Sequence, residues 1–197
     1  MRTPKPLLLA SASPRRRELL QQIGVRFRQC VVPVEETPRD GESARDYVQR
    51  VALDKARSVR RSTEADEVLV MGADTEVVLD DRPFGKPADL AAERDMLRRL
   101  GGRRHVVISA VALVGEREAV RLSESAVWLR PLSDAEVEAY WRSGEPRDKA
   151  GGYAIQGLGA AFVQRLEGSY SGVMGLPLYE TAQLLHEFGV PVLSKHL

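Results

Sequence analysis

The sequence predicts a mixed α/β fold, with strands and helices interspersed. Three observations predict it. Apolar runs such as VLVMGA, HVVISAVALV and EAVRLSESAVWL have the composition of strands. Between them lie stretches with apolar residues at helical spacing, each opened by a capping residue: Ser13, Ser43, Asp89 and Ser133. The two kinds are interspersed along the chain, the order of an α/β protein.

KPLLLAS reads as a buried strand feeding the first helix. There Ser13 caps, Pro14 takes the first helical position, and Leu19, Leu20 and Ile23 follow at helical spacing until Gly24. RFRQCVVPV reads as a second strand. Ser43, with Asp46 three residues on, opens a helix that runs to about Arg61. EVLVMGAD is a third strand, and EVVLDD either continues it or returns beside it. Asp89 caps a helix from Leu90 to Leu100, with Gly101 just past its end. HVVISAVALV and EAVRLSESAVWL read as paired strands. Ser133 and Glu136 form a capping box for AEVEAYWR, which Gly144 closes. A glycine-rich stretch over 151–175 contains the strand AAFVQRL, and a last helix runs from about Leu178 to Phe188. No repeat or low-complexity linker interrupts the 197 residues, so the chain 1–197 reads as a single domain.

Bulk composition excludes several classes of function. A net charge of +1, from 29 basic and 28 acidic residues, argues against generic polyanion binding. With aromatic content of 6%, a nucleic-acid-binding module is disfavoured. The LLLA run is far too short for a membrane span or a signal h-region. The single cysteine, Cys30, allows no internal disulfide, which suits a reducing cytoplasm. His105, His186 and His196 are scattered, without zinc-site spacing. A metal here would be a hard cation held by carboxylates and phosphate.

Four constellations carry chemistry. The first turn of the first helix holds Arg15, Arg16 and Arg17, although cations are disfavoured at a helix N-terminus. At about 100° per residue, Arg16 lies on the buried face set by Leu19, Leu20 and Ile23. Arg15 lies beside that face, and Arg17 points to solvent. Two arginines over the end of the preceding strand make sense if an anion such as phosphate binds there. Lys55 falls in the middle of an apolar helical face formed by Tyr47, Val48, Val51, Ala52 and Val59; it either snorkels outward or reaches into a cleft. Asp74 comes where the strand VLVMGA gives out, after a Gly-Ala that lets a ligand approach, and is a candidate base or metal ligand. Lys86 follows a turn that returns it to the same edge. Finally, Gly151, Gly152, Gly157 and Gly159 bracket Gln156, whose amide suits a base edge. Asp148-Lys149 reads as a local ion pair of little consequence.

Taken together, the segments LLLASASPRRRELL, the acidic pair Glu35-Glu36, DKA at 54–56, GADT at 72–75, GKP at 85–87, GEPRDKAGGYAIQG and GSYSGVMGLPL resemble the Maf family of nucleoside triphosphate pyrophosphatases. They span essentially the whole chain. KAGGYAIQG is similar to the dTTP/UTP-type subfamily and unlike the branch that acts on 7-methyl-GTP. The resemblance implies hydrolysis of a nucleoside triphosphate to the monophosphate and pyrophosphate with a divalent cation, Mg2+ or Mn2+. It implies Asp74 as proton acceptor, Arg15, Thr75 and Gln156 as substrate-choice positions, and Ser11, Arg16, Glu36, Lys55 and Lys86 in the cleft. Glu36 and Asp74 are the metal ligands this suggests. The implied fold has a curved mixed sheet and two lobes around a cleft, as in inosine triphosphatases; homodimers are common in the family. The implied role is house-cleaning of nucleotides, including modified pyrimidine nucleotides. The alternative is a nucleotide-binding regulator of septum formation with little turnover.

The sequence departs from the family pattern at three places. Glu76 stands where Val or Ile is usual, either facing solvent or adding a metal-facing carboxylate. DDRPFG replaces an Asn/Asp-Gly hairpin, and SGVMG replaces NVVG or a close variant.

Overall fold

A computed structural model of the chain describes residues 5–64 and 68–193. Glu67, at the head of the third predicted strand, and His196 lie outside the described residues. Among the described residues seven strands form one mixed sheet. In chain order the elements are β1 (Leu7–Leu9), α1 (Pro14–Gln22), β2 (Arg28–Gln29), α2 (Ala44–Arg61), β3 (Leu69–Leu79), β4 (Arg82–Phe84), α3 (Leu90–Leu100), β5 (Arg104–Val114), β6 (Glu118–Leu129), α4 (Asp134–Arg142), β7 (Val163–Glu167), α5 (Tyr170–Met174) and α6 (Leu178–Glu187). The sheet order is β2-β1-β3-β5-β6-β7, with β4 paired to β3. β1 runs parallel to β2 and β3; the other pairings are antiparallel.

The predicted caps form. Ser13 accepts from the Arg16 amide, Ser43 from that of Asp46 and Asp89 from that of Ala92. Ser133 and Glu136 make the full capping box. Two expectations need correcting, and one open alternative is decided. Only Arg28–Gln29 of RFRQCVVPV pairs in the sheet, because the chain beyond Gln29 leaves it to wall a cleft. EVVL continues β3, and the return comes only after Asp80-Asp81, as β4. Of AAFVQRL, Ala160–Phe162 lie in a 3₁₀ turn and the strand begins at Val163. The short helix α5 was not predicted.

Apolar residues fill both faces of the sheet. Leu19 and Leu20 of α1 with Leu184 and Leu185 of α6 cover Met71, Ala73 and Leu113. On the opposite side Tyr47, Val48, Val51 and Ala52 of α2 cover Val78, Ile108, Ala110 and Ala112. Among the described residues no helix is long and apolar enough to cross a membrane.

Candidate active site

The site lies where β1 stops and its neighbour β3 does not. β1 pairs with β3 only as far as Leu9 opposite Met71, whereas β3 continues to Leu79. The chain turns away into α1, and β4 takes up that side of β3 only from Val77, so Asp74 to Glu76 border open space between β1 and β4. A cleft of about 530 Å³ fills it, and every residue singled out for the site lines it: Ser11, Arg15, Arg16, Glu36, Lys55, Asp74, Thr75, Lys86 and Gln156. Asp74 therefore does not sit at a strand end. It is mid-strand, opposite Ala110 of β5, but past the end of β1. The Gly-Ala before it also needs a different account. A Cβ on Gly72 would lie 2.0 Å from the Ala52 carbonyl oxygen, so Gly72 admits the backbone of α2, not a ligand.

Strand alternation divides β3 between two neighbours. Gly72, Asp74 and Glu76 point toward α2, and Ala73 and Thr75 point toward α1 and α5. On the α2 side, Lys55 reaches out of the apolar helical face and donates to Asp74 Oδ1 at 2.8 Å and Glu36 Oε2 at 2.9 Å. A lysine is tolerated on that face because both carboxylates meet its charge. Glu36 itself is held through its backbone, since the Tyr47 hydroxyl donates to the Glu36 carbonyl at 2.9 Å. Glu35 lies elsewhere, in a separate pocket with Arg39, Arg50 and Arg61.

On the α1 side, Arg16 spans three elements. Its Nε donates to the Gly175 carbonyl at 2.8 Å, Nη1 to Ser11 Oγ at 3.2 Å and Nη2 to Thr75 Oγ1 at 3.4 Å. Thr75 meets Ser109 Oγ at 2.8 Å, and Ser109 donates to the Gly172 carbonyl at 2.6 Å. Arg15 borders the cleft beside Arg16, and Arg17 is exposed, as the helical face predicts. Burial lowers the pKa of Arg16, and the Asp74 carboxylate opposes that effect.

Lys86 and Gln156 come from loops that are tied together: the Gly151 amide donates to the Gly85 carbonyl at 3.0 Å. Gly151 and Gly152 both have φ of +69°, a conformation that favours glycine. The Asp148–Lys149 ion pair forms as read, and Lys149 also borders the cleft. Its side chain is only 13% exposed. Sequence reasoning also missed Ser109 and the buried pair of His105 and Tyr153, whose Nε2 and hydroxyl lie 2.7 Å apart. The helical and strand periods carry no signal for such contacts between distant segments.

Glu76 borders the cleft beside Asp74 and does not project into solvent. Burial, and then the Asp74 charge, push its pKa up to about 8. Its buried Oε2 has no hydrogen-bond partner. Asp74, Glu36 and Glu76 thus offer hard oxygen donors suited to a divalent cation. Among the described residues no three His, Cys, Asp or Glu side chains are grouped closely enough to hold a metal unaided.

A model of the Maf-like protein family matches residues 6–188. The chain belongs to the Maf family. A relative named dTTP/UTP pyrophosphatase from Alkalilimnicola ehrlichii is 55% identical over 188 residues, 93% of each chain. Another of that name, from Methylococcus capsulatus, is 55% identical over 185 residues, covering 93% of this chain and 91% of its own. Among solved structures, the Staphylococcus aureus Ham1 protein aligns over 64% of this chain and 72% of that one, at 15% identity and a TM-score of 0.44. In this Maf protein, SASPRR, GADT, GKP and KAGGYAIQG all contribute residues to one cleft.

Proposed function

We propose that this Maf protein is a nucleoside triphosphate pyrophosphatase that hydrolyses dTTP and UTP to the monophosphate and pyrophosphate. The observation that carries the reading is Lys55 joining Asp74 and Glu36 inside a cleft that Arg15, Arg16 and Lys86 also border. The names of its relatives support the substrate class.

The chemistry asked of the site is in-line attack of water on the α-phosphorus, with pyrophosphate leaving. Catalysis of such a step is mostly positioning and charge neutralisation. Arg15, Arg16, Lys55 and Lys86 supply positive charge for the three phosphates. Asp74 accepts the proton of the attacking water through its carboxylate, with Lys55 fixing that group. Thr75 and Gln156 select the pyrimidine base. A divalent cation, Mg2+ or Mn2+, would be held by Asp74 and Glu36 together with phosphate oxygens, and would neutralise phosphate charge. The unpartnered Glu76 oxygen fits such an ion. A house-cleaning role on modified pyrimidine nucleotides and a cytoplasmic location complete the proposal; the lone Cys30 suits a reducing compartment.

The test is Asp74→Asn assayed for pyrophosphate release from dTTP and UTP. A drop in kcat of about 10²-fold or more is expected for loss of a general base. Turnover near wild type in a folded variant would remove Asp74 from that role. Nucleotide binding by the wild-type protein without pyrophosphate release would favour the regulator.

A further inference from the structure

Gln156 sits on a segment with no regular secondary structure, yet a base-reading amide must be held in place to discriminate. The segment is pinned on both sides of Gln156. Upstream, the Ala154 amide donates to the Tyr140 hydroxyl at 3.0 Å. Downstream, the Leu158 amide donates to Glu145 Oε2 at 2.9 Å and the Gly159 amide to Glu145 Oε1 at 3.0 Å. The two anchors are themselves joined, because the Tyr140 hydroxyl donates to Glu145 Oε1 at 2.8 Å. Tyr140 is fixed in turn by burial, at 4% exposure, and by edge-on contact with Phe162 at 4.9 Å between centroids.

The residue types follow from this arrangement. All three groups facing Glu145 are donors, and an ionised carboxylate is acceptor-only, so each of its oxygens suits an N–H. An amide would turn a donor toward at least one of them. The Tyr140 hydroxyl must donate and accept at once, which phenylalanine cannot do. Gly157 and Gly159 leave the room required: a Cβ on Gly157 would lie 2.2 Å from Glu145 Oε2, and one on Gly159 2.8 Å from the Tyr140 hydroxyl.

We propose that Glu145 and Tyr140 are positioning residues for base selection, a clamp that fixes Gln156 by holding the backbone on either side of it. The inference rests on the reading of Gln156 as the group that selects the base. It assigns no contact with the phosphates, so substitution should act on KM and on discrimination more than on kcat.

The experiment measures kcat and KM for dTTP, UTP, dCTP and dGTP in wild type, Glu145→Gln, Tyr140→Phe, Gln156→Ala and the double variant E145Q/Q156A. Circular dichroism and melting curves establish folding. E145Q is expected to raise KM for dTTP and UTP about tenfold, as for the loss of hydrogen bonds to a charged group, with a smaller change in kcat. The preference for dTTP over dCTP and dGTP should fall, and should fall no further when E145Q is added to Q156A. Y140F should move the same quantities in the same direction by less, and it carries the test if E145Q does not fold. Unchanged preference in E145Q or its folded stand-in, where Q156A lowers it, overturns the clamp and leaves the reading of Gln156 standing. Unchanged preference in Q156A itself overturns that reading and the clamp with it.

Discussion

A lysine on a buried helical face survives only when its charge has partners. Lys55 has two, and they belong to different parts of the chain: Asp74 from β3 and Glu36 from the segment walling the cleft. Its position mid-stripe was legible from helical spacing, but its partners were not. A similar division runs through the three arginines. The angle between residues on α1 separates Arg16 from Arg17, while only the folded chain brings Gly175 and Thr75 to the Arg16 guanidinium. Lys55→Met should leave Asp74 without its ion-pair partner and lower kcat/KM by about 10²-fold, given what a positioned charge contributes to transition-state stabilisation. Arg17→Ala should stay within about twofold of wild type, since the side chain is exposed and outside the cleft. Steady-state pyrophosphate assays check both, and a loss in Arg17→Ala equal to that in Arg16→Ala would refute the division of α1 into a cleft side and a solvent side.

At the level of elements, what was legible was what each element carries in its own residues. The caps of α1 to α4 and the pairing of β5 with β6 are local or periodic signals, and they hold. Strand ends were harder, because a strand lasts as long as a neighbour offers hydrogen bonds. β2 is short because the chain departs after Gln29, and β3 is long because β5 accompanies it to Val78. The β3–β4 hairpin makes its turn with two aspartates at positive φ, Asp80 at 51° and Asp81 at 58°. Two-residue hairpin turns of this kind favour Asn-Gly or Asp-Gly, since L-residues are strained there. Asp81→Gly should therefore stabilise the protein by about 0.5–1 kcal/mol, the strain relieved less the extra freedom glycine gains when unfolded. Urea denaturation followed by circular dichroism measures it; a lower midpoint would show that Asp81 has a favourable contact outweighing its strain.

Across the whole molecule, titratable groups that the fold buries shape its response to pH. Glu93 of α3 is fully buried beneath Gly152, and burial pushes its pKa up to about 8 from an ordinary 4.5. Between those values the folded protein keeps a proton that the unfolded chain has lost. Stability therefore falls as pH rises through that window. Glu76 acts in the same direction, and its pKa too is about 8. His105 acts in the opposite one: burial lowers its pKa to about 4 from 6.5, so its contribution is lost as pH falls from 6.5 toward 4. Replacing Glu93 with Met should remove its share of the alkaline loss. Melting curves should show Glu93→Met raising Tm by a few degrees more at about pH 8 than at about pH 5. An equal shift at both would mean that Glu93 does not titrate across the window.

The resemblance of its motifs to the Maf family implied which residues surround the cleft, while sequence alone determined the α/β class, the helix starts and the side of α1 that carries Arg16. Each of these is written in residue type and spacing, which the chain carries before it folds. Tertiary structure decided where Asp74 stands relative to the end of β1, why Gly72 is a glycine, that Glu76 borders the cleft, and that Glu145 and Tyr140 hold the segment around Gln156. These depend on contacts between residues distant in sequence. Neither helical nor strand period encodes which distant backbone will occupy the space a residue faces.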